Sequence, residues 1–189
     1  MEEVKYWESL RAGDIQALQA LYNMHVDTLY SYGMVLCQDQ DRVKDCIHDL
    51  FLAFWQNRSS LNIPRSGKAY LMVSLRRRIF DSGPKSILNT ETLEDDVAAR
   101  ISDRDNHELG WIAAEEEGEK MEKLEQAMSR ISERQREIIH MKYYQQLDYE
   151  DIGRIMNLNY QSARNLVTRA LMALRREMAL ILCILWSFM

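Results

Sequence analysis

Between Ala163 and Leu174 the chain repeats apolar side chains at one spacing and leaves the facing positions polar. Ala163, Leu166, Val167, Ala170, Leu171 and Leu174 stand at i, i+3, i+4, i+7, i+8 and i+11, and they align only if the backbone turns by about 100° per residue. A strand, whose sides alternate at every second residue, cannot align them. The segment must be a helix that buries this stripe. The same rotation gathers Gln161, Arg164, Asn165, Thr168, Met172 and Arg175 on the opposite side, with Arg169 and Arg176 flanking. That opposite face carries no Asp or Glu.

Just before this helix, Asp148 and Asp151 have the spacing of an N-cap and a first-turn acid ahead of Ile152, Ile155 and Met156. Asn157-Leu158-Asn159 then reads as a short turn. Two short helices joined by a three-residue turn, the second polar and cationic on its free side, satisfy the needs of a helix-turn-helix. On that free side Gln161 and Asn165 can make bidentate amide contacts to adenine edges and Arg164 can do so with guanine. Thr168, Arg169 or Arg175 can hold phosphates. An ordinary solvated face on a helical bundle would show the same pattern.

The rest of the chain is equally helical in character. It holds seven Gly and two Pro in 189 residues, with many Met, Leu, Ala, Arg and Glu, which predicts an all-α protein. The length suits two small domains. Gly13-Asp14 precedes a long pattern through Leu18, Leu21, Tyr22, Leu29 and Leu36. Asp41 looks like the N-cap of a second helix carrying Val43, Cys46, Ile47, Leu50, Phe51 and Phe54. Residues 57–67 read as loop, and Leu71, Leu75 and Ile79 define a third helix before Gly83-Pro84. After an acidic stretch the period resumes at Met121, and Ser132 with Gln135 has capping-box spacing. The expected organisation is a helical domain over 1–83, an acidic linker over 84–119, a helix-turn-helix domain over 120–178 and an apolar tail over 179–189.

Charge follows that division. Residues 1–82 hold ten Lys and Arg against ten Asp and Glu, residues 83–120 four against eleven, and residues 121–189 ten against eight. The overall charge of −5 therefore conceals an acidic linker between two near-neutral domains. The linker reads as a flexible or partly helical tether. Three scattered cysteines without a CxxC argue against a disulfide framework or structural zinc and fit a reducing cytoplasm. Cys46, His48 and Asp49 do not converge on a metal ion from one helix. No nucleophile triad, phosphate-cradling Gly loop or paired carboxylates stand out, so neither an enzyme nor a cofactor or small-molecule substrate is expected. The polar, acidic N-terminus is no signal peptide. The apolar tail, eleven residues long, would reach about 16 Å as a helix against roughly 30 Å of bilayer core, so it is expected to pack on its own domain or to associate with a membrane.

Two further constellations lie in the N-terminal domain. Opposite the core stripe of the second helix stand Lys44, Asp45, His48, Asp49, Leu52 and Gln56, which makes Leu52 an expected exposed apolar residue among charges, as a protein-docking face would be. Farther on, Arg65, Lys68, Arg76, Arg77 and Arg78 interleave with Trp55, Tyr70 and Phe80. Basic plus aromatic suits single-stranded DNA, although cations at a helix C-terminus are also favoured by its dipole.

In this order the segments resemble an extracytoplasmic-function sigma factor, a minimal member of the sigma-70 family of bacterial RNA polymerase subunits. The stretch "DRVKDCIHDLFLAFWQNRSSL" is similar to the family's core-binding helix, "KAYLMVSLRRRIFD" to its downstream-promoter helix, and "ISERQREIIHMKYYQQLDYEDIGRIMNLNYQSARNLVTRALMALRRE" to its C-terminal helix-turn-helix domain. The resemblance implies that Asp45, His48, Asp49, Leu52 and Gln56 meet core RNA polymerase, chiefly the clamp helices of β′, with β the other subunit engaged. It implies that Tyr160, Gln161, Arg164, Asn165, Thr168 and Arg169 contact the upstream promoter element. Arg65, Lys68, Arg76 and Arg77 would contact the downstream one, with loop 57–67 capturing a flipped base. His48 stands where Gln is usual, Arg77 where Asn is typical, and Ser82-Gly83-Pro84 interrupts a helix that is commonly longer. The linker would thread polymerase channels that otherwise hold nucleic acid. Family members are commonly restrained by a membrane-bound anti-sigma protein, which makes one a candidate partner. A free-standing helix-turn-helix regulator is the alternative, and a membrane-associated adaptor a third.

Overall fold

The computed structural model describes residues 2–81 and 115–187, with side chains over 3–81 and 123–179. The acidic linker up to residue 114 and the apolar side chains of the tail fall outside the described residues. The chain divides into two units, Met1–His107 and Glu108–Met189, and every described element is helical, with no strand.

In the first unit, α1 (Glu2–Arg11) packs on α2 (Ile15–Leu36), which also meets α3 (Gln40–Gln56) and α4 (Gly67–Asp81). Gly13, at φ 95°, supplies the left-handed residue that separates α1 from α2, and Asp14 caps α2 by accepting from the Gln16 amide at 2.9 Å. The cap of α3 is Asp39, whose carboxylate accepts from Arg42 N at 3.1 Å. Asp41, the expected cap, instead stands two residues inside the helix as a first-turn acid. Ile47, Leu50 and Phe51 of α3 and Leu71, Met72 and Leu75 of α4 are buried with Leu18, Leu21 and Leu29 of α2. Gly33 lets α2 and α3 cross closely, since a Cβ there would stand 2.5 Å from Val43. The region 57–67 contains one short 3₁₀ turn, Arg58–Ser60, and is otherwise irregular until α4 begins at Gly67.

Helix α1 was not anticipated, because its sequence shows only Val4, Trp7 and Leu10 as strongly apolar positions. Yet Trp7 and Leu10 are fully buried. The Trp7 ring lies edge-on to Phe54 and Tyr70, each at 5.8 Å, and its indole N–H donates to Glu3 Oε1 at 3.3 Å. Glu3 Oε1 also lies 2.9 Å from His25 Nε2, a buried ring of α2. A Cβ on Gly67 would collide with that carboxylate, so α4 begins with a glycine where α1 crosses it.

In the second unit, α5 (Glu115–Arg130) starts six residues before the resumption expected at Met121. Arg136 covers the carbonyl end of α5, donating to Met128 O at 3.1 Å. The capping box forms as expected at the start of α6 (Glu133–Ile139): Ser132 Oγ accepts from Gln135 N, and Gln135 Oε1 accepts from Ser132 N. One π turn, His140–Tyr144, follows, then α7 (Tyr149–Met156) and α8 (Tyr160–Ser187). Helix α8 runs through residue 178 without a break, because no Gly or Pro interrupts it.

Candidate nucleic-acid interface

The turn between α7 and α8 is built from local hydrogen bonds. Asn157 ends α7 in the left-handed region at φ 53°, a conformation Asn tolerates, and Leu158 N donates back to Gly153 O at 2.8 Å. The chain then passes so close over α7 that a Cβ on Gly153 would stand 2.6 Å from the Leu158 carbonyl oxygen. Asn159 Oδ1 accepts from Ser162 N at 2.8 Å and starts α8. At the other end, Asp148 accepts from Asp151 N at 2.7 Å to start α7, as its spacing predicts. Lys142 Nζ donates to Leu147 O and lies 4.6 Å over the Tyr149 ring, which meets Tyr160 edge to face at 5.5 Å. These contacts hold the N-termini of both helices together.

The phase of α8 matches the sequence pattern. Ala163, Val167, Ala170 and Leu174 are buried, and Leu166 and Leu171 half-buried, against α5, α6 and α7. Tyr160, Gln161, Arg164, Asn165, Thr168, Arg169, Met172 and Arg175 are exposed together. Gln161 and Asn165, one turn apart, are joined: Gln161 Nε2 donates to Asn165 Oδ1 at 3.1 Å. The Thr168 hydroxyl donates to the Arg164 carbonyl at 3.2 Å. In that rotamer it offers lone pairs rather than a proton, so it needs to rotate before it can donate to a phosphate.

The N-terminal candidates divide differently. Asp45 and Gln56 are exposed, Asp49 is mostly exposed with Arg78 at 4.0 Å from its carboxylate, and His48 is half-buried. Leu52 corrects the sequence reading, for it is only 5% exposed. Helix α3 packs on both α2 and α4, so more than one of its faces is covered, and the assumption of a single buried stripe fails there. Of the basic set, Arg65 is exposed and Arg77 is exposed in a pair with Asp81 at 3.2 Å. Lys68 is partly buried, and desolvation lowers its pKa from the usual lysine value. Arg76 lies 4.9 Å over the Phe80 ring, which is 55% exposed. Sequence reading passed over Arg58, whose guanidinium stacks 4.4 Å over Trp55. The Trp-to-Arg spacing of three residues was the available signal. Among the described residues no three metal-ligating side chains come together, and no helix is long and apolar enough to cross a membrane.

Comparison with known proteins bears on both units. Residues 21–82 match the family model for sigma-70 region 2, and residues 121–174 match that for sigma-70 region 4. Among solved structures, that of CnrH in complex with the cytosolic domain of CnrY is similar over 95% of this chain and 96% of that one, with a TM-score of 0.61 and 14% identity. The sigma factor RpoE from Bartonella quintana, co-crystallised with the anti-sigma factor NepR, is similar over 84% of this chain and 94% of that one, with a TM-score of 0.56 and 16% identity. At such identities the likeness is one of fold. No curated protein sequence matches the chain.

Proposed function

Since the chain belongs to the sigma-70 family, we propose that it is a transcription initiation factor of the extracytoplasmic-function group that docks on core RNA polymerase through α3 and directs the enzyme to particular promoters. The upstream element is read by α8, through Tyr160, Gln161, Arg164, Asn165, Thr168 and Arg169. The downstream element is engaged by Arg65, Lys68, Arg76 and Arg77. The single observation that carries this reading is the acid-free outer face of α8, wholly exposed on a helix that a helix-turn-helix holds in place. Such a face suits a major groove, where amide and guanidinium groups read bases and cations hold phosphates. For polymerase docking, the support is the exposed carboxylates of Asp45 and Asp49 and the exposed Gln56 on the same helix. The Arg76–Phe80 and Arg58–Trp55 pairs offer cationic and π surface together, as unstacked bases require. The two similar solved chains were each captured with another protein, one of them an anti-sigma factor. An anti-sigma protein is accordingly the partner class proposed for this chain.

Selection from a pool of randomised duplex DNA tests the reading, using the chain alone, bacterial core RNA polymerase alone, and both. A defined upstream sequence should emerge only with both present. Enrichment of the same sequence by the chain alone would make it a free-standing regulator, and no enrichment in any arm would leave the α8 face merely solvated. Arg169→Ala should weaken binding to all DNAs alike and lower the salt slope by about one unit.

A further inference from the structure

Resting on the promoter-reading role of α8, we infer that Gln161 and Asn165 form one reading unit, in which Asn165 holds the Gln161 amide in the orientation that recognises an adenine in the upstream element. The sequence alone makes them two independent readers, since each amide could pair bidentately with an adenine edge. The structure joins them. Gln161 Nε2 donates to Asn165 Oδ1 at 3.1 Å, within ordinary hydrogen-bond range for two exposed side chains at i and i+4.

An amide nitrogen carries two hydrogens, so the bond to Asn165 leaves Gln161 with its second N–H and its carbonyl oxygen. One donor and one acceptor on a single amide plane are what adenine N7 and N6–H₂ require in the major groove. Guanine presents two acceptors there and rejects the carbonyl oxygen. Gln161 is also the longer side chain and lies in the first turn of α8, the end that a recognition helix presents to base edges. A free glutamine rotates among several side-chain torsions and must lose that freedom on binding, whereas one already held by its neighbour loses less. Asn165 is therefore a positioning residue, and its contribution to base preference passes through Gln161. Nearby, the Thr168 hydroxyl is turned onto the Arg164 carbonyl. It does not compete for either amide.

The experiment uses holoenzyme assembled from the full chain and bacterial core RNA polymerase. Selection from the randomised duplex pool is repeated for the parent, Gln161→Ala, Asn165→Ala, the double variant and Asn165→Asp. The readout is the enrichment of adenine over the other bases at each position, not total affinity. The parent should favour adenine at one position by about tenfold or more. Both alanine variants should lose that preference at the same position, and the double variant should lose no more than Gln161→Ala alone. Asn165→Asp keeps the accepting oxygen, so it should retain the adenine preference even as its added charge weakens binding to every sequence. Both positions are exposed, so folding is not at risk. Loss of preference at two different positions, with effects that multiply in the double variant, would make the residues independent readers and overturn the inference while leaving the promoter-reading role intact. Loss of the preference in Asn165→Asp would overturn the positioning role. A parent holoenzyme with no preference at any position would instead overturn the promoter-reading role on which the inference rests.

Discussion

Replacing Gly153 by Ala tests the geometry of the helix-turn-helix directly. The added Cβ would stand 2.6 Å from the Leu158 carbonyl oxygen, where ordinary contact begins at 3.4 Å, so the turn must retreat by roughly 0.8 Å. The obstacle is backbone rather than a flexible side-chain tip. It is tied down by the Leu158 N–H to Gly153 O bond and by the Asn159 cap of α8. Overpacking costs about 1–3 kcal/mol, and an immovable obstacle belongs at the upper end of that range. Against this, Ala in a helix interior is better than Gly by about 1 kcal/mol. The net loss is about 2 kcal/mol, a factor of about 30 in the opening equilibrium. Hydrogen exchange followed by mass spectrometry on the full chain resolves it: amides of α7 and the first half of α8 should exchange about 30-fold faster, while peptides of α4 in the other unit stay unchanged. Unchanged or slower exchange in α7 and α8 would mean the methyl fits, that only helix propensity matters, and that the close crossing is not a constraint.

Leu52→Ala should destabilise the N-terminal unit by about 2–5 kcal/mol, visible as faster exchange in α3 and α4. Unchanged exchange combined with weakened polymerase binding would instead return Leu52 to the docking surface. Ser132→Ala breaks the capping box and should cost about 1 kcal/mol, read as faster exchange confined first to α6; no change there would deny the cap a role in stability. Lys68, its pKa lowered by desolvation, penalises the folded state while it is protonated. As pH rises toward the ordinary lysine value of 10.5, the folded chain releases that proton before the unfolded chain does, so the penalty fades and stability rises. Urea unfolding at neutral and at alkaline pH should show the parent gaining on Lys68→Met across that interval, and parallel pH profiles would refute the shift.

How much was legible in the sequence depended on the range of the forces involved. The apolar stripe of α8, the Ser132–Gln135 box, the Asp148 cap and the Asn157–Asn159 turn all rest on residues three to five apart, and they stand in the structure as their spacing predicts. So does the exposed, acid-free face that became the candidate interface, because the angle around a helix follows from position alone. Helix α1 was hidden because its anchors are distant in sequence. Glu3 finds His25 on α2, and Trp7 finds Phe54 and Tyr70 on α3 and α4. Leu52 was misplaced for the same reason, since the period shows which residues share a side but not how many sides other helices cover. The joining of Gln161 to Asn165 lies between these cases: their spacing permits the bond, and the structure shows it formed among the rotamers open to two exposed side chains. Periodicity and caps are properties of one segment of chain and its own torsions. Burial and side-chain orientation are sums over neighbours that only the packing of separate segments brings within reach.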